Sequence, residues 1–250
     1  MSLFRSVTSG GLALAAVLSA APAAATITFG TMSTATTVRN IHFVAGPTTG
    51  QLFSGLTGAT SASAVPVNFT ILVGAIPQLT NVAANFVFNA TLPTDGIPAS
   101  GAFDLGMLSG SFSITALAPI SAGIGTGVNL LSGSFTGANI QGILNSSTGG
   151  ANFCSDCTGS MVFTSDFLDF SLVTTEAFAL NFTSVLSGQQ NGFRRTAEGN
   201  LTSFRATMSG DFASDPLPNI VPEPETWAML VLGFGLIGVS FRRRRKVVVA

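Results

Sequence analysis

NFVFNATL, residues 85–92, sets Phe86, Phe88, Ala90 and Leu92 on one side of an extended chain and Asn85, Asn89 and Thr91 on the other. A repeat of two residues is the period of a β-strand with one face buried and one face wet. The same alternation recurs along the chain. Val67, Phe69, Ile71 and Val73 oppose Asn68 and Thr70, and Phe112, Ile114 and Ala116 interleave with Ser111, Ser113 and Thr115. Further on, Phe178, Leu180 and Phe182 oppose Asn181 and Thr183, while Phe204, Ala206 and Met208 oppose Ser203, Arg205 and Thr207. Enrichment in Thr, Val and Phe with glycine punctuation predicts an all-β body of antiparallel strands. A β-sandwich or jelly-roll-like arrangement is the expected architecture, with a β-solenoid as the alternative.

A Ser-Gly-x-Phe element appears at Ser109–Phe112, Ser132–Phe135 and Ser209–Phe212 without a fixed period. It is read as a turn followed by a strand start, the glycine taking a positive φ.

Composition narrows the function classes. Charged residues make up 8% of the 250 residues, and 46% are hydrophobic, so the chain has the apolar content to order itself. Between residues 26 and 214 only Arg39, Arg194, Arg195 and Arg205 are basic, against the acids Asp95, Asp104, Asp156, Asp166, Asp169, Glu176, Glu198 and Asp211. A mildly acidic body argues against a nucleic-acid partner, which needs a basic face to neutralise phosphates. The 21 Phe, with one Trp and no Tyr, read as core rather than as a ligand platform.

Both ends look like addresses. Residues 1–25 carry Arg5, an apolar stretch from Leu12 and a small-residue site, and Ala23 and Ala25 fit the A-x-A rule for cleavage of a secretory signal peptide. The translocon and signal peptidase are the partners this implies. Near the other end, Trp227 to Phe241 is an uncharged apolar run followed by Arg242, Arg243, Arg244 and Arg245. As a helix it would be roughly 22 Å long, which Trp227 and snorkelling arginine stems can extend toward the ~30 Å hydrocarbon core. The positive-inside rule puts those arginines in the cytoplasm and the body outside it. Gly233, Gly235 and Gly238 match a dinucleotide fingerprint in letters, but no strand context or downstream acid accompanies them, so they are read as helix-weakening residues in a membrane segment.

Pro222-Glu223-Pro224, then Trp227-Ala228-Met229-Leu230, the glycine-bearing apolar run and Arg242 to Arg245 together resemble the PEP-CTERM sorting signal in its PEPxxWA form. The resemblance covers about the last 25 residues. It implies export, transient anchoring in the inner membrane, and recognition by an exosortase-type membrane protease acting near the proline motif. It also implies a Gram-negative setting of biofilm and exopolysaccharide production. On that reading Pro222, Glu223, Pro224 and Trp227 are the recognition element and Arg242 to Arg245 the stop-transfer signal. The domain plan is then a signal peptide at 1–25, an exported all-β domain at 26–214, a proline-spaced linker at 215–221 holding the body off the bilayer, and the sorting signal at 222–246.

Chemistry-bearing residues are sparse in the body. His42, the single histidine, sits on a strand-like stretch without a G-x-S-x-G elbow and is expected to be a structural residue. Cys154 and Cys157 lie among loop residues and are expected to form a local disulfide in an oxidising compartment. Asp166 and Asp169 are spaced so that on a strand they would face opposite sides. No metal, cofactor or catalytic set is expected. The leading expectation is a non-enzymatic structural protein of the cell envelope or exopolysaccharide matrix, with a carbohydrate-binding module as the alternative. A polysaccharide hydrolase would need two carboxylates roughly 5–10 Å apart across a cleft.

Overall fold

The computed structural model describes residues 26–93, 96–122, 126–154 and 159–220, together with Leu232, Phe234 and Ile237. The signal peptide, most of the expected membrane helix 227–241 and the arginine cluster lie outside the described residues. Among the described residues no helix is long and apolar enough to cross a membrane.

The body is all-β and antiparallel. In chain order the strands are β1 (Ile27–Thr34), β2 (Ile41–Val44), β3 (Thr49–Ser54), β4 (Val65–Ile71), β5 (Val82–Pro93), β6 (Ala102–Ser121) and β7 (Thr126–Ile143). Then follow β8 (Gly149–Cys154), β9 (Met161–Thr164), β10 (Leu168–Asp169), β11 (Thr175–Ser187), β12 (Gln190–Asn191), β13 (Phe204–Asp215) and β14 (Asn219–Ile220). Two short 3-10 turns, Val73–Ala75 and Pro77–Leu79, join β4 to β5. Val73 therefore leaves the strand face on which alternation would put it, because the chain turns at Gly74 with φ 74°.

The expected two-layer sandwich is corrected to one hydrogen-bonded sheet that closes on itself. Strands β13, β11, β8, β7, β6 and β5 run side by side. Two strand pairs set end to end complete the ring between β5 and β13. Strands β3 and β2 bridge one half, and β4 and β1 bridge the other. The reason lies in strand length. β5 and β13 are 12 residues each, long enough to take a different partner at each end of one edge. Sequence-adjacent antiparallel neighbours around the ring also rule out the solenoid alternative.

Either route around the ring passes eight strands, a barrel size whose interior side chains can fill. Phenylalanine fills it. Phe29, Phe43, Phe53, Phe69, Phe86, Phe88, Phe153, Phe167, Phe178, Phe182, Phe193 and Phe204 are all fully buried. Opposite walls touch: Phe112 on β6 lies 4.8 Å from Phe178 on β11 and 5.5 Å from Phe212 on β13, centroid to centroid. Phe178 and Phe212 stack at 4.4 Å, and Phe135 meets Phe153 edge-on at 4.5 Å. Offset and edge-on contacts of this kind add about 0.5–1.5 kcal/mol per pair beyond burial.

The Ser-Gly-x-Phe elements lie mid-strand, in β6, β7 and β13, and not at turns. Glycine and phenylalanine two apart share the inward face, so each element makes a hole beside a knob. Phe112 sits opposite Gly133 in register, and a Cβ there would lie 2.6 Å from its ring. A Cβ on Gly210 would come within 3.0 Å of the Phe178 ring. Gly133 and Gly210 make room for rings from the neighbouring strand, and Gly110 for the close approach of Asn89 and Ala90; none of them turns the chain.

Apolar inside and polar outside is the reverse of a membrane-spanning barrel, whose outer band is apolar. The outward rows consist mainly of Ser, Thr, Asn and Gln. Val87, Ser113, Ser132 and Thr164 form one such row across β5, β6, β7 and β9.

Candidate functional site

Three places combine polar chemistry with shape. The first is a trough of about 630 Å³ on the outer wall, crossing β6, β7, β8 and β11. Asp104 on β6 faces Gln141 on β7, and Gln141 faces Gly150 on β8, which in turn faces Asn181 on β11. Gly150 has no side chain, so the floor dips between Gln141 and Asn181. The polar groups along the trough hold each other in place. Asp104 Oδ2 accepts from Asn139 Nδ2 at 3.0 Å and from Gln141 Nε2 at 2.9 Å. Asn152 Nδ2 donates to Gln141 Oε1 at 3.1 Å, and Asn181 Nδ2 donates to Asp211 Oδ2 at 3.1 Å. Such a row of pre-oriented planar amides and carboxylates offers paired donors and acceptors to a hydroxyl-rich ligand.

The second is the seam between β9 and β11. β9 pairs with β7 along one edge, and across its other edge the buried Glu176 of β11 accepts the Phe163 N–H through Oε2 at 2.9 Å. Burial pushes this carboxyl up to about 7, against the opposing pull of the Phe163 N–H. Glu176 is in phase with Phe178, Leu180 and Phe182, so the alternation that buries those residues also places it inside the barrel. Asp169 lines the same cleft of about 490 Å³. Its carboxylate is held below the ordinary range by the Ser171 N–H and hydroxyl, at 2.9 and 3.0 Å. Two carboxyls with opposed proton affinities in one cleft follow the asymmetry of acid–base pairs. Here, however, Glu176 bonds the backbone of β9 and Asp169 bonds its own loop, so both serve the fold.

The third is the exit of the chain toward the sorting signal. The linker expected at 215–221 does not stand free of the body. Asp215 O accepts from Thr174 N at 3.0 Å and Thr174 Oγ1 at 2.7 Å, Pro218 is buried, and Asn219–Ile220 pairs with β10. Ile220 packs on the core, its Cδ1 only 2.4 Å from where a Cβ on Gly74 would be. A side chain as apolar as isoleucine finds a better place in that notch than in water.

The remaining candidates have structural surroundings. His42 is buried, donates from Nε2 to Gly55 O at 2.9 Å and stacks on Phe53 at 5.5 Å, and burial lowers its proton affinity. Asp166 Oδ2 accepts from Val128 N and Asn129 N at 2.9 and 2.8 Å, fastening the start of β7, so it does not join Asp169 in one site. Arg39 and Arg195 donate to the carbonyls of Ser184 and Ile97. Cys154 ends β8, and its expected bond to Cys157 lies outside the described residues. So do Ala23, Ala25, Pro222, Glu223, Pro224, Trp227, Gly233, Gly235, Gly238 and Arg242 to Arg245; within their span Leu232, Phe234 and Ile237 are helical and exposed. Among the described residues no group of three His, Cys, Asp or Glu side chains could hold a metal ion.

Residues 221–245 match the family model of the PEP-CTERM protein-sorting motif. That motif implies an exported protein, anchored in the membrane before it is processed by an exosortase-type membrane enzyme. No curated protein and no solved structure matches the chain.

Proposed function

We propose that this chain is an exported, non-enzymatic structural protein of the cell envelope or exopolysaccharide matrix, delivered by its C-terminal sorting signal. The observation that carries the reading is the pairing of that signal at 221–245 with a ring-filled, closed barrel whose outer rows are mainly Ser, Thr, Asn and Gln. A barrel packed solid with phenylalanine suits a durable surface element, and its polar, sparsely charged exterior suits a hydrated polysaccharide network. Fractionation tests this directly. The full chain, expressed with its processing enzyme, should co-purify with the extracellular matrix, and a chain truncated before Pro222 should be found in the periplasm. Equal recovery of both in the periplasm would count against the proposal.

A second reading, a carbohydrate-binding module, is favoured by the trough around Asp104, Gln141, Asn152 and Asn181. Titration of the protein with neutral oligosaccharides separates the two. Binding lost on Gln141→Ala and Asn181→Ala would move the function to that site, and no binding at millimolar sugar would leave the structural reading.

A further inference from the structure

The processing enzyme meets a substrate whose approach to the motif is already occupied. Only Val221 separates Ile220 from Pro222, and an extended residue spans at most ~3.6 Å. Ile220 is paired with Leu168 of β10 and Asn219 with Asp169, while the Ile220 side chain fills the notch over Gly74. Proteins that grip an extended peptide do so through its backbone N–H and C=O groups, over several residues in a row. Backbone groups bonded to β10 cannot bond to an enzyme at the same time. Nor can a barrel wall lying against Pro218 and Ile220 share that space with the walls of an active-site cleft.

We propose that Leu217 to Ile220 form part of the enzyme's recognition segment, and that the β10–β14 pairing is a clasp which must open before processing. This rests on the reading that an exosortase-type enzyme acts near Pro222. The clasp is built to open. It consists of two paired residues, one buried proline and the Ile220 side chain in its notch, far fewer contacts than the ladders of the barrel, and segments of that kind open locally well below the cost of global unfolding. Processing then scales with the open fraction, as for any reaction drawn from a minor conformer. The clasp also gives the enzyme a means of reading the folded state, since β10 exists as a partner for β14 only once the body has folded.

Two variants of the full-length chain, expressed with the processing enzyme, test this from opposite sides. Leu168→Cys with Ile220→Cys places cysteines at directly paired positions, within disulfide reach. When oxidised, this chain should be shortened at least about tenfold more slowly than after reduction, with each single-cysteine variant unaffected by reductant. Gly74→Ala crowds Ile220 in its notch and strains the positive-φ turn beneath it while leaving the tail sequence unaltered, and should be processed several-fold faster while amide exchange at Asn219 and Ile220 rises. Wild-type rates in the oxidised double variant would overturn the clasp, as would an unchanged rate in Gly74→Ala despite faster exchange. A wild-type chain that is never shortened would instead overturn the processing reading, and the role of the clasp with it.

Discussion

The wall made by β5 and β6 and the seam between β9 and β11 bury the same kind of residue but are closed differently. Along the wall, backbone pairing continues from Ala84 opposite Ala116 to Thr91 opposite Ser109. At the seam, the Phe163 N–H is met by a side chain, Glu176. A backbone ladder is indifferent to pH, whereas a buried carboxylate is not. The exit of the chain also lies on the seam side: Thr174 and Thr175, beside Glu176, hold the carbonyl of Asp215, and β10 follows β9 closely. The barrel thus has a firm side that carries stability and a softer side where the segment to be processed is docked.

The sharpest way to break that contrast is to remove its common core. Phe112→Ala takes away a ring that touches Phe86, Phe163, Phe178 and Phe212, and should cost about 3–5 kcal/mol in denaturant unfolding. A loss below about 1 kcal/mol would mean the two walls do not lean on one another. Gly133→Ala drives a methyl into the same ring from the neighbouring strand and should cost about 1–3 kcal/mol; neutrality would refute the hole-and-knob account of the Ser-Gly-x-Phe elements.

The seam should respond to pH where the wall does not. Because folding raises the Glu176 carboxyl from its ordinary 4.5 to about 7, the folded state holds the proton more tightly. Stability from this group is therefore full below about pH 4.5 and declines as pH rises through 7, by roughly 1–2 kcal/mol after allowance for partial solvation. Glu176→Gln keeps an acceptor for the Phe163 N–H and should flatten that slope, leaving the variant more stable than wild type at pH 8. Parallel slopes in thermal unfolding curves would contradict the assignment. The smallest effect belongs to the outer face. Asn152→Ala should change stability by less than about 0.5 kcal/mol, because the Gln141 oxygen it releases is exposed to water.

Much of the barrel was legible from alternation alone. Phe86 to Leu92, Phe112 to Ala116, Phe178 to Phe182 and Phe204 to Met208 all lie on strands with those residues buried. Period two fixes which face is inward but carries nothing about which edges meet, so closure of the sheet through two end-to-end pairs could not be read from it. The glycines of Ser-Gly-x-Phe misled because a glycine that makes room for a ring and one that turns the chain look alike until the neighbouring strand is known. Glu176 could have been found: it shares parity with Phe178, and an acid in phase with a phenylalanine face is buried by the rule that placed the rings. The docking of Ile220 was hidden by its prolines, which suggest a spacer whenever the body that receives them is unseen. The sorting signal was legible because its order of proline motif, tryptophan, apolar run and arginines is a linear code that needs no fold.

The most direct test of the whole account is the intact mass of the exported protein recovered from cells that carry the processing enzyme. The recovered chain should start near Thr26 and end between Ile220 and Trp227, with the arginine cluster gone. An exported protein whose mass still includes residues 228 to 250 would contradict it.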